Sequence, residues 1–369
     1  MPGRGTLGCP HDRGGGRTCS RTPALLDVGD RSRWCFDQRV GTSVDPVLAQ
    51  SRARRLAAPS LLDRVAARWI RIAPRETDFD VRGFAPGPAS VRQLLELHGA
   101  SFAHGFNAAV AAPGTAEFDA RLAAVAGEER GFAFEGAGMA LALLDLILPG
   151  RPRRLAALLR GPGAPHVYMI HVGSGWALAR LRRRPWGRLP LDPLLRWLAL
   201  DGYGFHDAFF HPDRVVRGRR VPRCLDAEAA RVFDQGVGRA LWFVDTGDPE
   251  RVARSAGSFE ERRRADVWSG VGLAAAYAGG LEPEGLEQLA SLAGPFRPQL
   301  AQGVAFAATA RLRAGNLVPH TESACAIVCG VDAAGAAAVT DNALAATGGG
   351  STAADYERWR TAIRTELTA

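Results

Sequence analysis

The segment Leu200-Asp201-Gly202-Tyr203-Gly204-Phe205-His206-Asp207 sets a histidine directly beside a carboxylate, with His211 and Asp213 close behind. A His next to an acid can serve as general base or acid, because its pKa lies near neutrality. His206 and His211 are five residues apart, as are His166 and His171. Five is a poorer same-face spacing than four, so hydrogen-bonded core histidines are the simpler reading and a metal pair the alternative. Asp234-Gln235 and Arg239 are spaced to meet on one helix face, where an internal ion pair is the simplest account. Cys325 and Cys329, downstream of His320 and Glu322, read as two buried small residues in preference to a redox or metal pair. There is no G-x-S-x-G, Walker loop, H-E-x-x-H or paired DxxD, so no metal is assigned and no cofactor can be named.

These residues sit within a recurring pattern: a Gly, a small residue two later, and Ala four later. The copies begin at Gly105, Gly136, Gly173, Gly202, Gly236, Gly270 and Gly303, at spacings of 31, 37, 29, 34, 34 and 33 residues. A period near 33 is that of a helical-hairpin repeat. At about 100° per residue, positions 0 and +4 share one side of a helix and +2 lies nearly opposite. Small residues on both sides let a helix sit close between two neighbours. Gly in a helix costs about 1 kcal/mol against Ala, so seven copies imply a packing gain. The linking segments fit shorter helices, opened by Asp248-Pro249-Glu250, by Glu282-Pro283-Glu284, and after Pro113. A nucleotide-binding reading of G-x-G fails, since no strand precedes any copy in a βαβ unit.

The position just before each Gly holds His104, Glu135, Val172, Asp201, Gln235, Ser269 and Gln302. Beside it, at +3, stand Ala108, Met139, Trp176, Phe205, Arg239, Leu273 and Phe306. If the copies stack in register, the two rows line one continuous surface on which polar groups interleave with aromatic ones. The alternative is that the preceding polar residues cap helix starts. Together with His171, His206 and Asp207, the residues His104, Glu135, Asp201, Gln235, Arg239, Ser269 and Gln302 form the candidate cavity-lining set. The fold class expected is all-α: tandem helical-hairpin repeats forming a solenoid or an α/α toroid.

Every basic residue is Arg; the chain has no Lys. Residues 1–58 carry ten Arg against five Asp, so most of the formal charge of +8 is concentrated there. The remainder is near neutral and lacks the electrostatic footprint of a nucleic-acid binder. Residues 1–58 are Arg/Gly-rich, without a sustained period, and read as a disordered extension to a single helical domain at 59–369, opened by Pro59-Ser60. A late loop at Gly348–Ser351 precedes a C-terminal helix containing Tyr356, Trp359 and Ile363. The six Cys show no CxxC pairing, and no signal peptide or apolar run of spanning length appears, so a cytoplasmic protein with reduced thiols is expected.

From about Arg82 to the C-terminal helix, the chain resembles an uncharacterised bacterial family encoded beside enediyne polyketide synthases. The runs carrying the likeness lie at 132–146, 166–181, 192–210, 231–244, 266–280, 297–308 and 319–322. The resemblance implies a role in building an enediyne core from a linear polyene. It implies partners of the same chemistry: a hydrophobic polyene or enediyne intermediate and other proteins of the pathway. It carries over no reaction and no catalytic residue. A pathway enzyme is one expectation; the others are a non-catalytic scaffold or carrier and a self-resistance binder.

Overall fold

The computed structural model describes residues 70–148, 153–182 and 188–368. The expected extension at 1–58 and the helix start at Pro59-Ser60 lie outside them. Among the described residues every regular element is helical.

After a 3-10 turn at Pro74–Thr77 come fifteen α-helices: α1 (Phe79–Arg82), α2 (Ala89–Ala111), α3 (Ala116–Ala123), α4 (Arg130–Ile147), α5 (Arg154–Arg160), α6 (Val167–Leu181), α7 (Leu198–Phe210), α8 (Ala227–Val244), α9 (Pro249–Gly257), α10 (Glu261–Ala278), α11 (Pro283–Ala293), α12 (Arg297–Arg313), α13 (Pro319–Ala324), α14 (Ala333–Ala346) and α15 (Ala353–Leu367). The seven Gly-bearing segments fall in α2, α4, α6, α7, α8, α10 and α12. Each of these helices packs along the next, and α12 continues onto α14.

The glycines make that packing possible. A Cβ placed on Gly173, Gly202, Gly236, Gly270 or Gly303 would lie 1.8–2.0 Å from the carbonyl oxygen of Glu135, Val172, Asp201, Gln235 or Ser269 respectively. In every case that oxygen belongs to the residue just before the Gly of the preceding helix. The second small residue faces the other neighbour: a Cβ on Gly175, Gly204, Gly238 or Gly272 would strike the backbone of the following helix at 1.9–2.0 Å. The two small positions thus sit on opposite sides of each helix, as their angular separation requires.

The expected linking helices open where the sequence places them. Asp248 caps α9 by accepting from the Arg251 amide, and Thr115 caps α3 by accepting from the Phe118 amide. α11 starts at Pro283, after Glu282. Two other links depart from this form. Between α6 and α7 the described residues contain only 3-10 structure at Leu195–Trp197, and between α7 and α8 only a π turn at Asp213–Arg217. Both stretches are broken by prolines, at 190 and 193 in one and at 212 and 222 in the other. Cys325 and Cys329 are buried in a further π turn after α13. No single described helix is long and apolar enough to cross a membrane.

Two glycine substitutions should differ sharply in their effect on stability. Gly236→Ala should destabilise the fold by about 3 kcal/mol or more, because backbone blocks the added methyl. Gly257→Ala meets open space and should change stability by less than about 1 kcal/mol. Urea melts measure both, and a G236A protein as stable as the parent would dispose of the account.

Candidate functional site

Because each Gly from Gly173 to Gly303 in the pattern rests on the carbonyl of the residue before the preceding Gly, those residues arrive side by side. The Gln235 amide donates to Asp201 Oδ2 at 2.7 Å. The Ser269 hydroxyl donates to Gln302 Oε1 at 2.8 Å and lies 3.4 Å from Gln235 Oε1. All four side chains are fully buried. None of them caps a helix, since their side chains bond across to neighbouring helices. The capping reading is therefore corrected; the N-caps are residues such as Asp226, Asp248, Asp332 and Thr352.

Arg239 joins this row to Glu135. Its Nη1 donates to Asp201 Oδ1 at 2.5 Å, its Nη2 lies 3.5 Å from Glu135 Oε1, and its guanidinium sits 5.0 Å from the Phe205 ring centroid. The expected pairing within α8 is corrected: Asp234 turns to the other side and takes a two-pronged bond from Arg263 at 2.6 and 2.8 Å. Asp234 precedes Arg239 by five residues, which puts the two side chains on diverging faces. Glu135 also accepts from Trp176 Nε1 at 3.2 Å. At the other end, the C-terminal helix closes the row. Arg360 donates to Gln302 at 3.3 Å and to Asp266 at 2.7 Å, and the Tyr356 hydroxyl lies within 3.5 Å of Gln235.

This row borders a narrow, partly enclosed cavity of about 40 Å³. Both rows contribute to its wall: Val172, Asp201 and Gln235 from the preceding position, and Arg239, Leu273 and Phe306 from +3. Tyr168, Met169, Leu198, Tyr277, Thr309, Ala310, Thr340 and Trp359 complete it. The wall is mostly apolar with a few convergent polar groups, the usual make-up of a small-molecule site.

The remaining candidates fall elsewhere. Glu135 lies behind Arg239, off the cavity wall, and Ser269 and Gln302 lie along the buried row. His104 is exposed. His171 is buried but fixes a loop: its Nδ1 bonds the Val167 carbonyl at 2.7 Å and its Nε2 accepts from the Asp192 amide at 3.0 Å. Both contacts suit a neutral ring, and burial pushes its pKa below the usual imidazole range. His206 and Asp207 do adjoin, with Nδ1 3.3 Å from Oδ1, and Asp207 also accepts from Arg214 at 3.1 Å. The pair packs with Trp176 and Phe210, away from the cavity wall. His166 stacks on Phe134, and burial lowers its pKa to about 4. Among the described residues no group of three or more His, Cys, Asp or Glu is placed to hold a metal ion.

A family assignment can be set beside this geometry. The chain belongs to the family described as "Protein of unknown function (DUF1702)", whose model matches residues 61–367. Both rows, the cavity and α15 all fall inside the matched region. No curated protein and no solved structure matches the chain. The DUF1702 description names no reaction, so the chemistry available to the site has to be read from its electrostatics.

Two acids, Glu135 and Asp201, share one buried Arg. Burial, the dominant influence, raises the Glu135 pKa to about 7; the Arg239 charge opposes the rise and the Asp201 charge adds to it. A carboxyl that changes charge near neutrality can donate or accept a proton at working pH. The stability linkage has a definite sign. The folded state favours protonated Glu135, so its contribution is fully present below the ordinary carboxyl pKa and is lost as pH rises towards about 7.

Continuing the rows by four residues, to +7, reaches Tyr277 and Ala310, both on the cavity wall. Trp359 and Arg360 carry no such signal, because α15 lies outside the recurring pattern.

Glu135→Gln should remove that pH dependence. Relative to the variant, wild-type stability should fall by on the order of 3 kcal/mol between about pH 4.5 and pH 7. Denaturant melts across this range measure the difference, and parallel curves would show that Glu135 is not held protonated.

Proposed function

We propose that this protein binds an elongated apolar molecule in the cavity beside Asp201, Gln235 and Arg239, and that the molecule is a conjugated intermediate of enediyne core assembly. The observation carrying the reading is the cavity wall: apolar and aromatic side chains from several helices surround one buried polar group. The reading takes the Gly-bearing helices as tandem hairpin repeats, in a solenoid or an α/α toroid, whose inner face supplies both rows. A rigid conjugated chain loses little conformational freedom on entering a narrow apolar cleft, which favours its binding over that of a flexible alkyl chain.

A pathway enzyme acting on this intermediate is the first form of the proposal, with Glu135 as the group of the site whose charge changes near neutrality. A non-catalytic carrier is the second, and one observation favours it: Asp201, Gln235 and Arg239 already bond one another, which leaves them little to offer a reacting atom.

The binding reading is tested with diphenylhexatriene, a linear polyene whose fluorescence rises on leaving water. Leu273→Trp puts a larger side chain on the cavity wall. The parent protein should bind the probe, and the variant at least about tenfold more weakly with its melt preserved. In a producing strain lacking the protein, Leu273→Trp should fail to restore the enediyne core. Glu135→Gln restores it if the protein is a carrier and fails if it is an enzyme. Equal probe binding by parent and L273W would overturn the cavity assignment.

A further inference from the structure

A second opening shares no residue with the cavity beside Asp201. It is an open surface cleft of about 440 Å³. Arg82 at the end of α1, with His211, Asp213 and Arg214 after α7, supplies its polar groups. Val81, Phe210 and Pro212 supply its apolar ones. The run of His and Asp residues from His206 to Asp213, which the cavity does not use, ends here.

Both guanidinium groups are anchored through one nitrogen. Arg82 Nη2 donates to Glu76 at 3.2 Å, and the group lies 5.1 Å from the Phe210 ring centroid. Arg214 Nη2 donates to Asp207 at 3.1 Å, and Asp207 also meets His206. The two Arg side chains remain 16% and 40% exposed. A guanidinium carries five donors in one plane, so a single anchoring bond fixes the group and leaves donors for another oxyanion. Asp213 is the acid on the cleft wall that would repel an anion, and it is paired with Arg217.

The charge around the cleft is lopsided. Residues 213–223 hold five Arg, all exposed, against one Asp, although the chain after residue 58 is near neutral as a whole. Partial burial, and after it the Arg214 charge, lower the pKa of His211; His206 and Arg182 add to the effect and Asp207 opposes it. The charge of Arg182, just past the end of α6, is therefore felt at the cleft.

We propose that this cleft is a second ligand site and that it takes a phosphate monoester, with Arg82 and Arg214 holding the phosphate and Val81, Phe210 and Pro212 covering the organic part. The site stands independently of the ligand proposed for the cavity. Two anchored guanidiniums offer more donors than the two oxygens of a carboxylate can take, whereas a phosphate monoester brings three terminal oxygens and nearly two charges. Val81, 54% exposed, gives an attached apolar group a surface to cover.

The test uses the full chain at low salt and titration calorimetry with hexyl phosphate, inorganic phosphate and hexanoate. Hexyl phosphate should bind about tenfold more tightly than either of the others, because each lacks one half of the match. Arg214→Gln should weaken hexyl phosphate by about tenfold or more. Val81→Asp removes no internal bond and sets a carboxylate at the cleft; it should weaken hexyl phosphate by about fivefold with its melt preserved, and added salt should shrink that difference. Phosphatidylcholine vesicles with and without phosphatidic acid separate the sources of the phosphate. Capture that needs phosphatidic acid and is lost in V81D would place the phosphate on a lipid, and hexyl phosphate binding without such capture would place it on a soluble molecule. If hexyl phosphate does not bind, binds no better than hexanoate, or binds R214Q and V81D as it binds the parent, the site is overturned.

Discussion

The contact between a glycine Cα and the carbonyl of the preceding helix sets the geometry of everything else. It brings two helix backbones to a separation that any Cβ would forbid, and it does so at one register. Because the carbonyl belongs to the residue before the previous Gly, consecutive preceding residues are carried to the same height. The Asp201–Gln235 bond at 2.7 Å and the Ser269–Gln302 bond at 2.8 Å follow from this. Widening the helix spacing by an ångström would stretch both beyond useful length. Backbone packing and the buried polar row are therefore one constraint seen twice.

That coupling explains how the core tolerates so many polar groups. Each would be costly alone, since burying an unpaired polar group costs several kcal/mol and an unpaired charge far more. In register, each finds a partner on the next helix. The charges are handled by the same logic: two acids around one Arg leave an excess of one negative charge, and a protonated Glu135 removes it. Asp266, in turn, takes Arg360 on one oxygen and Arg231 on the other. Such groups specify one arrangement of helices more sharply than methyl groups would, because a helix shifted by one turn would strand them.

What could be read from the sequence was what the register dictates. The spacing of Gly105 through Gly303 predicts helices with small residues on opposite sides, and the contacts of Gly173 and Gly175 show why: one meets Glu135 and the other Ala199. The polar row was legible for Asp201, Gln235, Ser269 and Gln302 because periodicity alone places them together. It misled for His104 because the first two helices of the pattern pack in another register: a Cβ on Gly136 would meet the carbonyl of Phe102, two residues before His104. It also misled for His171, His206 and Asp207, which were chosen for their chemistry and not for their place in the rows. The Arg239 pairing was misjudged within α8 because side chains a few residues apart are easy to join on paper; its true partners are 38 and 104 positions away.

The position of the cavity follows from where the side chains filling the face that bears the two rows run out. Around Glu135 the face is filled by Trp176, which packs against Phe102 and Phe205. Around Gln302 it is filled by α15, whose Tyr356, Trp359 and Arg360 are each about 1% exposed. Between these plugs the +3 row offers Leu273 and Phe306, and the +7 position offers Ala310. These side chains do not span the gap to Asp201 and Gln235. The opening therefore lies where the aromatic residues of the early helices have ended and the C-terminal helix has not fully covered the later ones. Its wall combines Asp201 and Arg239 from one side with Trp359 and Thr340 from the other. A ligand there would touch α6, α7, α8, α10, α12, α14 and α15 at once. Binding would then be coupled to the docking of the C-terminal helix, which is held in place by the Arg360–Asp266 pair and by the bond from Trp359 Nε1 to the Thr340 carbonyl.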